Sequence, residues 1–291
     1  MIRSSGFPGA FLQRVWFYLN PVTGLGELWR QRFLIGQFAG REISGRYQGT
    51  YLGAVWSLVT PLLMLGVYTF VYGVIFKARW IGPTPGSEHG DGLASFALAM
   101  FSGTLAYSVF SETLNRSCGL IIGVPNFVKK VVFPLQILPL VTLIGSLFQA
   151  FVALVVLAIG MLIVTGGLPA SMLLAPVMIL PITLFSLGLA WFCSSLGVYI
   201  RDIGQGVAIV TQMLFFATPI FYPVEAVPEA YRGLMNLNPL TPMVTVVRQA
   251  LLGQSAIAWD SYVLSLAIGL TVAVVGHGWF QATRRGFADV L

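Results

Sequence analysis

The sequence predicts an all-α integral membrane protein, and three observations lead to that fold class. Hydrophobic residues make up 57% of the chain and charged residues only 9%, whereas soluble domains carry about 25% charged residues. The range 52–76 contains no charged residue, and a helix of about 20 apolar residues crosses a bilayer core of roughly 30 Å. Comparable apolar runs recur along the chain, which a single buried helix of a soluble protein does not explain.

Six apolar runs are predicted to span the membrane, each bounded by charged residues or by glycine and proline. Pro61 lies inside the first run and predicts a kink there. The second run ends near Glu112, so that end should approach water. The predicted spans cover about 52–76, 93–115, 135–164, 172–198, 206–222 and 261–280.

Three segments lie outside these spans. Residues 1–26 are rich in glycine and proline and are interpreted as an N-terminal cytoplasmic extension. Residues 27–47 read as an amphipathic interfacial helix, although Leu34 and Phe38 interrupt its pattern. Proline-rich residues 223–253 predict a hairpin of short helices, because about 11 helical residues reach only ~16 Å. Residues 27–291 therefore form one transmembrane domain.

Basic residues are distributed unequally between the two sides of the membrane. Six spans place both termini on one side, and the side richer in Lys and Arg is cytoplasmic. The rich side has Arg3, Arg14, Arg30, Arg32, Arg41, Arg46, Arg116, Lys129, Lys130, Arg201, Arg284 and Arg285, and the other has Lys77, Arg79, Arg232 and Arg248. Both termini are thus predicted to be cytoplasmic and the hairpin external. This asymmetry also explains the net charge of +6 without a nucleic-acid partner.

The chain lacks the motifs of an energy-coupling or metal-dependent site. It has no glycine-rich phosphate loop, and its two histidines, His89 and His277, lie in different regions. Coupled transporters place carboxylates at mid-membrane, but Glu112 and Asp260 both lie at span ends. We therefore expect no cofactor in this chain, no catalytic residue and an external source of energy.

Aromatic residues are frequent in the first and fifth predicted spans. Tyr68, Tyr72 and Phe76 are four positions apart and share a helix face. Aromatic faces stack on sugar C–H faces, so an uncharged aromatic lining suits a sliding polysaccharide. The alternative is an interfacial aromatic belt or lipid-facing packing. The candidate lining residues are Tyr51, Trp56, Tyr68, Tyr72, Phe76, Phe215, Phe216, Phe221 and Tyr222.

Four segments carry a resemblance to a known family. They are REISGRYQGTYLGAVWSLVTPLLMLGVYTFVYGVIF at 41–76, NFVKKVVFPLQILPL at 126–140, the hairpin region 215–253 and the tail RRGFADVL. Together they resemble ABC-2-type permeases, the membrane subunits that export O-antigen, capsular polysaccharide or teichoic acid. The resemblance covers residues 27–291 and leaves the first 26 residues unexplained.

The resemblance implies a homodimer in the cytoplasmic (inner) membrane, with a channel lined by spans one and five. Two copies of a separate ATP-binding subunit, which hold ATP and Mg, would drive the export of a lipid-linked polysaccharide. The external hairpin would gate the exit of the channel. Membrane lipids would surround the permease. Whether periplasmic export proteins take part stays open.

The resemblance also assigns roles on the cytoplasmic side. A coupling helix that docks on the ATP-binding subunit would lie within 119–130, and the entrance for the substrate would lie beside the interfacial helix. The coupling candidates are Gly123, Pro125, Asn126, Lys129 and Lys130, and the entrance candidates are Arg41, Arg46 and Tyr47.

Other functions remain open at this point. A related permease could carry teichoic acid, another glycolipid or a drug. The aromatic residues favour a glycan, as does the pattern formed by Arg46, Tyr47, Gly49, Leu52, Gly53 and Trp56. A secondary transporter would need buried charges or inverted repeats. A membrane-embedded glycan enzyme would need an external acid and base, and the sequence presents no compelling pair.

Overall fold

The computed structural model describes residues 21–46, 48, 53–77, 92–129, 133–253 and 257–291. Within these ranges the chain is helical and has no strand, which confirms the all-α class. The helices are α1 (Pro21–Arg30), α2 (Arg32–Gly45), α3 (Trp56–Ile75), α4 (Gly92–Ser117), α5 (Pro125–Lys129), α6 (Ile137–Thr165), α7 (Ala170–Tyr199), α8 (Ile203–Ala217), α9 (Glu229–Leu237), α10 (Leu240–Leu252), α11 (Trp259–Thr283) and α12 (Phe287–Val290).

Among the described residues, five helices are long and apolar enough to cross a membrane: α3, α4, α6, α7 and α11. They fall on predicted spans one, two, three, four and six. The predicted fifth span, 206–222, differs, because α8 has 15 residues and reaches only ~22 Å. Thr218 is extended and Pro219 follows it, so the helix ends before the apolar run does. The count of six spans therefore stays a prediction.

The core of the protein is a bundle of α4, α6, α7 and α11. Phe96 and Phe110 of α4 are fully buried in it. α7 and α11 approach so closely that a Cβ on Gly188 or Gly276 would overlap the backbone of the other helix. Small residues allow this approach in membrane helices, where packing replaces the hydrophobic effect as the driving force.

One end of the bundle carries both termini of the described chain, and we call it the terminal end. There the Trp191 indole donates to the Gln136 carbonyl at 2.9 Å, and the Gln281 amide donates to the Gln136 side chain. Gln136 in turn donates to Glu27 of α1 at 3.0 Å. His277 lies 3.2 Å from the Gln281 amide. These buried amides tie α1, α6, α7 and α11 together.

The opposite end, which we call the hairpin end, carries α9 and α10 within the range predicted to hold two short helices. α10 is mostly buried against α4, whereas α9 is exposed. Gly253 ends α10 with a φ of +66°, a left-handed conformation that glycine adopts without strain. The hairpin is therefore partly inserted into the bundle.

The predicted interfacial helix, 27–47, consists of two helices that break at Gln31. Trp29 and Phe33, on its predicted apolar face, are exposed. Phe38, which interrupted that pattern, contacts Phe127 and Phe133 instead. The segment thus has two apolar sides, one toward the protein and one uncovered. Residues 1–20 and Tyr47 lie outside the described residues.

Candidate functional site

Aromatic side chains from α3 meet those at the end of α8 and in the segment that follows it. Tyr72 stacks on Phe221 with ring centres 4.5 Å apart and ring planes 20° apart. Tyr68 meets Phe221 edge-on at 5.5 Å and approaches Phe215 at 6.2 Å. Such ring pairs are worth about 0.5–1.5 kcal/mol beyond the area they bury. The structure therefore brings together the two sets of aromatics that the sequence singled out separately.

Three of the remaining candidates lie around this cluster. Phe216 is exposed, with its ring 6.1 Å from Phe221. Phe76 is exposed at the end of α3, 5.8 Å from Tyr72. The Tyr222 hydroxyl donates to the Phe216 carbonyl at 3.0 Å. Trp56 is exposed at the other end of α3 and makes no ring contact with described residues, while Tyr51 lies outside the described part of the chain.

The helices that carry the cluster are barely covered by the rest of the chain. In the most apolar 18-residue stretch of α3 no residue is buried. In α8 only Thr211 is buried, although the helix is apolar. Large exposed side chains such as Val67, Phe70 and Met213 extend over this surface. A long uncovered apolar surface on a membrane helix meets either lipid or another protein surface.

A groove beside the cluster was missed by the sequence analysis. It has a volume of about 310 Å³ and lies between α3, α4 and α8. Tyr68, Tyr107 and Phe215 form its aromatic wall. The polar wall is formed by Thr104, Ser108, Ser111, Asn115, Thr211 and Gln212. Single hydroxyls in an apolar helix look like ordinary packing residues. The only sequence signal for the groove was that these polar residues share one face of α4.

Most polar groups of the groove are held by short local hydrogen bonds. Ser108 donates to the Leu105 carbonyl at 2.8 Å, and Thr104 donates to the Met100 carbonyl at 2.9 Å. The Asn115 amide donates to the Thr211 hydroxyl at 3.2 Å, which joins α4 to α8. The side chains are thereby fixed, and each hydroxyl oxygen retains acceptor capacity.

The entrance candidate Arg46 is held by carboxylates at the terminal end. Its guanidinium donates to Glu42 at 3.3 Å and to Glu112 of α4, and it lies against Gly145 of α6. Arg116 forms a second ion pair with Glu42. Arg46 therefore fastens α2 to the bundle. Arg41 is exposed, and Tyr47 is not described.

The predicted coupling segment is joined to α2 by an aromatic cluster. Phe127 of α5 stacks on Phe133 at 4.6 Å, and the Phe38 ring lies 6.1 Å from Phe127 and 5.2 Å from Phe133. The helix α5 is short, and its other side is open to solvent. The exposed coupling candidates are Gly123, Pro125, Asn126 and Lys129, while Lys130 lies outside the described residues.

Arg248 of α10 is a buried cation that the sequence analysis counted only as an external charge. It is 3% exposed. Its guanidinium donates to the Ala99 carbonyl at 3.2 Å, to Pro219 at 2.8 Å and to Ile220 at 3.2 Å. These carbonyls belong to the start of α4 and to the break after α8. Arg248 thus joins the hairpin to the segment that leads into Phe221.

No three His, Cys, Asp or Glu side chains lie close enough together to hold a metal ion in the ranges that the structure describes. The expectation that the chain itself carries no cofactor stays a prediction.

Comparisons with known proteins identify the family. A family model described as "ABC-2 type transporter" matches residues 34–252. The chain belongs to the ABC-2 type transporter family. The match runs from α2 through α10 and so includes the aromatic cluster, the groove, the coupling segment and the hairpin.

Individual relatives in this family are named as polysaccharide export permeases. The O-antigen export system permease protein RfbA of Myxococcus xanthus is 27% identical over 268 residues, which cover 90% of this chain and 97% of that protein. A Klebsiella pneumoniae protein of the same name is 23% identical, covering 89% of this chain and 95% of the relative. The polysialic acid transport protein KpsM of Escherichia coli is 23% identical, covering 73% and 78%. This ABC-2 type chain is therefore similar to polysaccharide export permeases along most of its length.

Proposed function

We propose that this chain is the membrane subunit of an ATP-driven exporter that moves a lipid-linked cell-surface polysaccharide outward across the cytoplasmic membrane. The names of its relatives support an O-antigen or capsule as the cargo. The terminal end faces the cytoplasm and the hairpin end faces outward in this proposal, in agreement with the distribution of Lys and Arg. α8 and residues 218–222 together form the predicted fifth span in this proposal, so that the chain crosses the membrane six times.

The observation that carries the proposal is the uncovered surface of α3 and α8. A second copy of the chain would cover it and place two aromatic clusters opposite each other around a central path. Aromatic faces bind sugar rings without charge, so a polymer can slide past them through many weak contacts. The alternative, a surface that meets only lipid, does not explain why a hydroxyl-lined groove opens beside it.

The energy would come from an ATP-binding partner that docks on the terminal end. The exposed side of α5 offers Lys129 to that partner, and Phe127 on the opposite side contacts Phe38 of α2. A displacement of α5 would therefore also move α2. The ion pair between Arg46 and Glu112 would transmit this movement to α4.

A deletion strain tests this function. Deleting the gene should remove one polysaccharide from the cell surface and leave it inside the cell, still attached to its lipid carrier. Reintroducing the wild-type gene should restore surface display. Light scattering of the purified complex should show two copies of this chain. An unchanged set of surface polysaccharides would contradict the proposal.

A further inference from the structure

The groove between α3, α4 and α8 is lined by both hydrogen-bonding groups and aromatic faces. None of the described residues that line it is charged. We propose that this groove binds the sugar units of an uncharged polysaccharide, and that it disfavours a polyanionic one. The inference rests on the proposed function and adds to it a binding surface on α4 and a class of substrate.

The first argument is the arrangement of the polar residues. Thr104, Ser108, Ser111 and Asn115 follow one another at intervals of four, three and four residues, which places them on one face of α4. The 11 steps along the chain from Thr104 to Asn115 extend over about 16 Å of helix. The polar face therefore forms a ladder along the groove, a shape that fits a linear chain better than a compact solute.

The second argument is the hydrogen-bonding capacity of the ladder. Thr104 and Ser108 use their protons on carbonyls of their own helix, so their oxygens can accept from a sugar hydroxyl. The exposed Gln212 amide has no hydrogen-bond partner among the described residues, and it can both donate and accept. Sugar hydroxyls can do both as well. Tyr68 and Phe215 add ring faces for the C–H sides of the sugars.

The third argument is charge. The charged residues that adjoin the ladder in sequence are Glu112 and Arg116, and each is already in an ion pair with α2. A polysaccharide with one carboxylate per sugar would lose hydration on entering the groove, and no charged side chain there would compensate for that loss. Charged groups inside a membrane are costly unless they are paired. An uncharged chain exchanges its hydrogen bonds to water for those of the ladder.

The charge of the cargo tests the proposed class directly. The polysaccharide that disappears from the surface of the deletion strain would be purified from the parent strain, and its uronic acid, sialic acid and phosphate content measured. We expect a glycan without an acidic group in its repeating unit. An acidic group in every repeat would overturn the inference while leaving the export function intact. If no glycan disappears, the export function and this inference both fail.

Removing hydroxyls tests the ladder itself. Replacement of two hydroxyls in Ser108→Ala with Ser111→Ala should lower surface glycan per permease by about three- to tenfold, since two weak hydrogen bonds are lost. Thr271→Val is the matched control, because Thr271 is exposed on α11 and donates to its own helix at 2.8 Å like the ladder hydroxyls. Its export should be unchanged. Equal export by the double variant and the control at equal abundance would show that the ladder only packs helices.

The sign of an introduced charge provides an independent test. Ser108→Lys and Ser108→Asp should both reduce export strongly and to a similar extent, because an uncharged glycan gains nothing from either charge. An anionic glycan would tolerate the lysine and be blocked by the aspartate. That asymmetry, at equal membrane abundance of the two variants, would overturn the inference.

Discussion

The bundle and the pair α3 and α8 differ in packing although both are apolar. In their most apolar 18-residue stretches, 67% of the residues of α4 are buried and none of those of α3, although α3 is the more apolar helix. Apolar composition thus predicts which helices enter the membrane, but it does not predict what covers them. The chain itself buries most of this stretch of α4. The pair α3 and α8 leaves a surface that a second copy and a substrate would complete.

Glycine substitutions should separate the two regions most strongly. A side chain at Gly276 would overlap the Gly188 backbone, whereas a Cβ on Gly66 of α3 would meet no described atom within 4 Å outside its own stretch of helix. We expect Gly276→Leu to cost more than about 3 kcal/mol of stability through overpacking and to remove the protein from the membrane. Gly66→Leu should reach the membrane at normal levels, as measured by immunoblot of membrane fractions. Equal loss in both variants would contradict the comparison.

Arg248 should matter nearly as much, because it fastens the hairpin to the bundle. Arg248→Met removes the donor from the buried Pro219 and Ile220 carbonyls, and each unsatisfied group costs about 1–3 kcal/mol. The Ala99 carbonyl keeps the Ser102 hydroxyl as a donor. We expect faster proteolysis of the hairpin in detergent and reduced abundance. Arg232→Met is the control, since Arg232 is half exposed and bonds a carbonyl within the hairpin, Val227. Similar proteolysis of both variants would argue against a fastening role for Arg248.

The aromatic contact between α5 and α2 should affect coupling more than stability. Phe127→Ala removes the ring that touches both Phe38 and Phe133. We expect the ATP-binding partner to assemble and hydrolyse ATP, while export per ATP falls several-fold. Charge reversal of Lys129 and Lys130 should instead weaken assembly, which co-purification measures. Normal export per ATP in Phe127→Ala would remove α2 from the proposed route.

Much of the fold could be predicted from apolar runs and their breaks. The lengths of α4, α6 and α11 follow from their apolar runs, whereas the end of α8 was not predicted, although Pro219 and Pro223 follow it closely. The predicted span continued to Tyr222 because hydropathy alone does not register where proline stops a helix.

The aromatic half of the candidate site could be predicted, whereas its polar half could not. Tyr68 and Tyr72 stood out by their spacing, but only the fold shows that Phe221 lies against them. Ser108 and Ser111 carry no sequence signal in an apolar helix until α3 and α8 are seen beside them. Arg248 was read as a surface charge because its three carbonyl partners come from distant segments.

The most direct test of the path along α3 is export by a variant that lacks its two tyrosines. Stacking on aromatic rings is worth about 1–3 kcal/mol per base in nucleic-acid proteins. At the low end of that range, two lost rings amount to ~2 kcal/mol, or a factor of about 30. Tyr68→Ala with Tyr72→Ala should therefore lower surface glycan per permease by roughly that factor, with normal abundance and ATP hydrolysis.

The matched control is Phe192→Ala with Trp279→Ala. It removes two rings whose centres are 5.5 Å apart and which are exposed on the outside of α7 and α11. This control should export normally. If the tyrosine variant also exports normally at normal abundance, or if the control loses as much export, the aromatic surface of α3 is not the path of the polysaccharide.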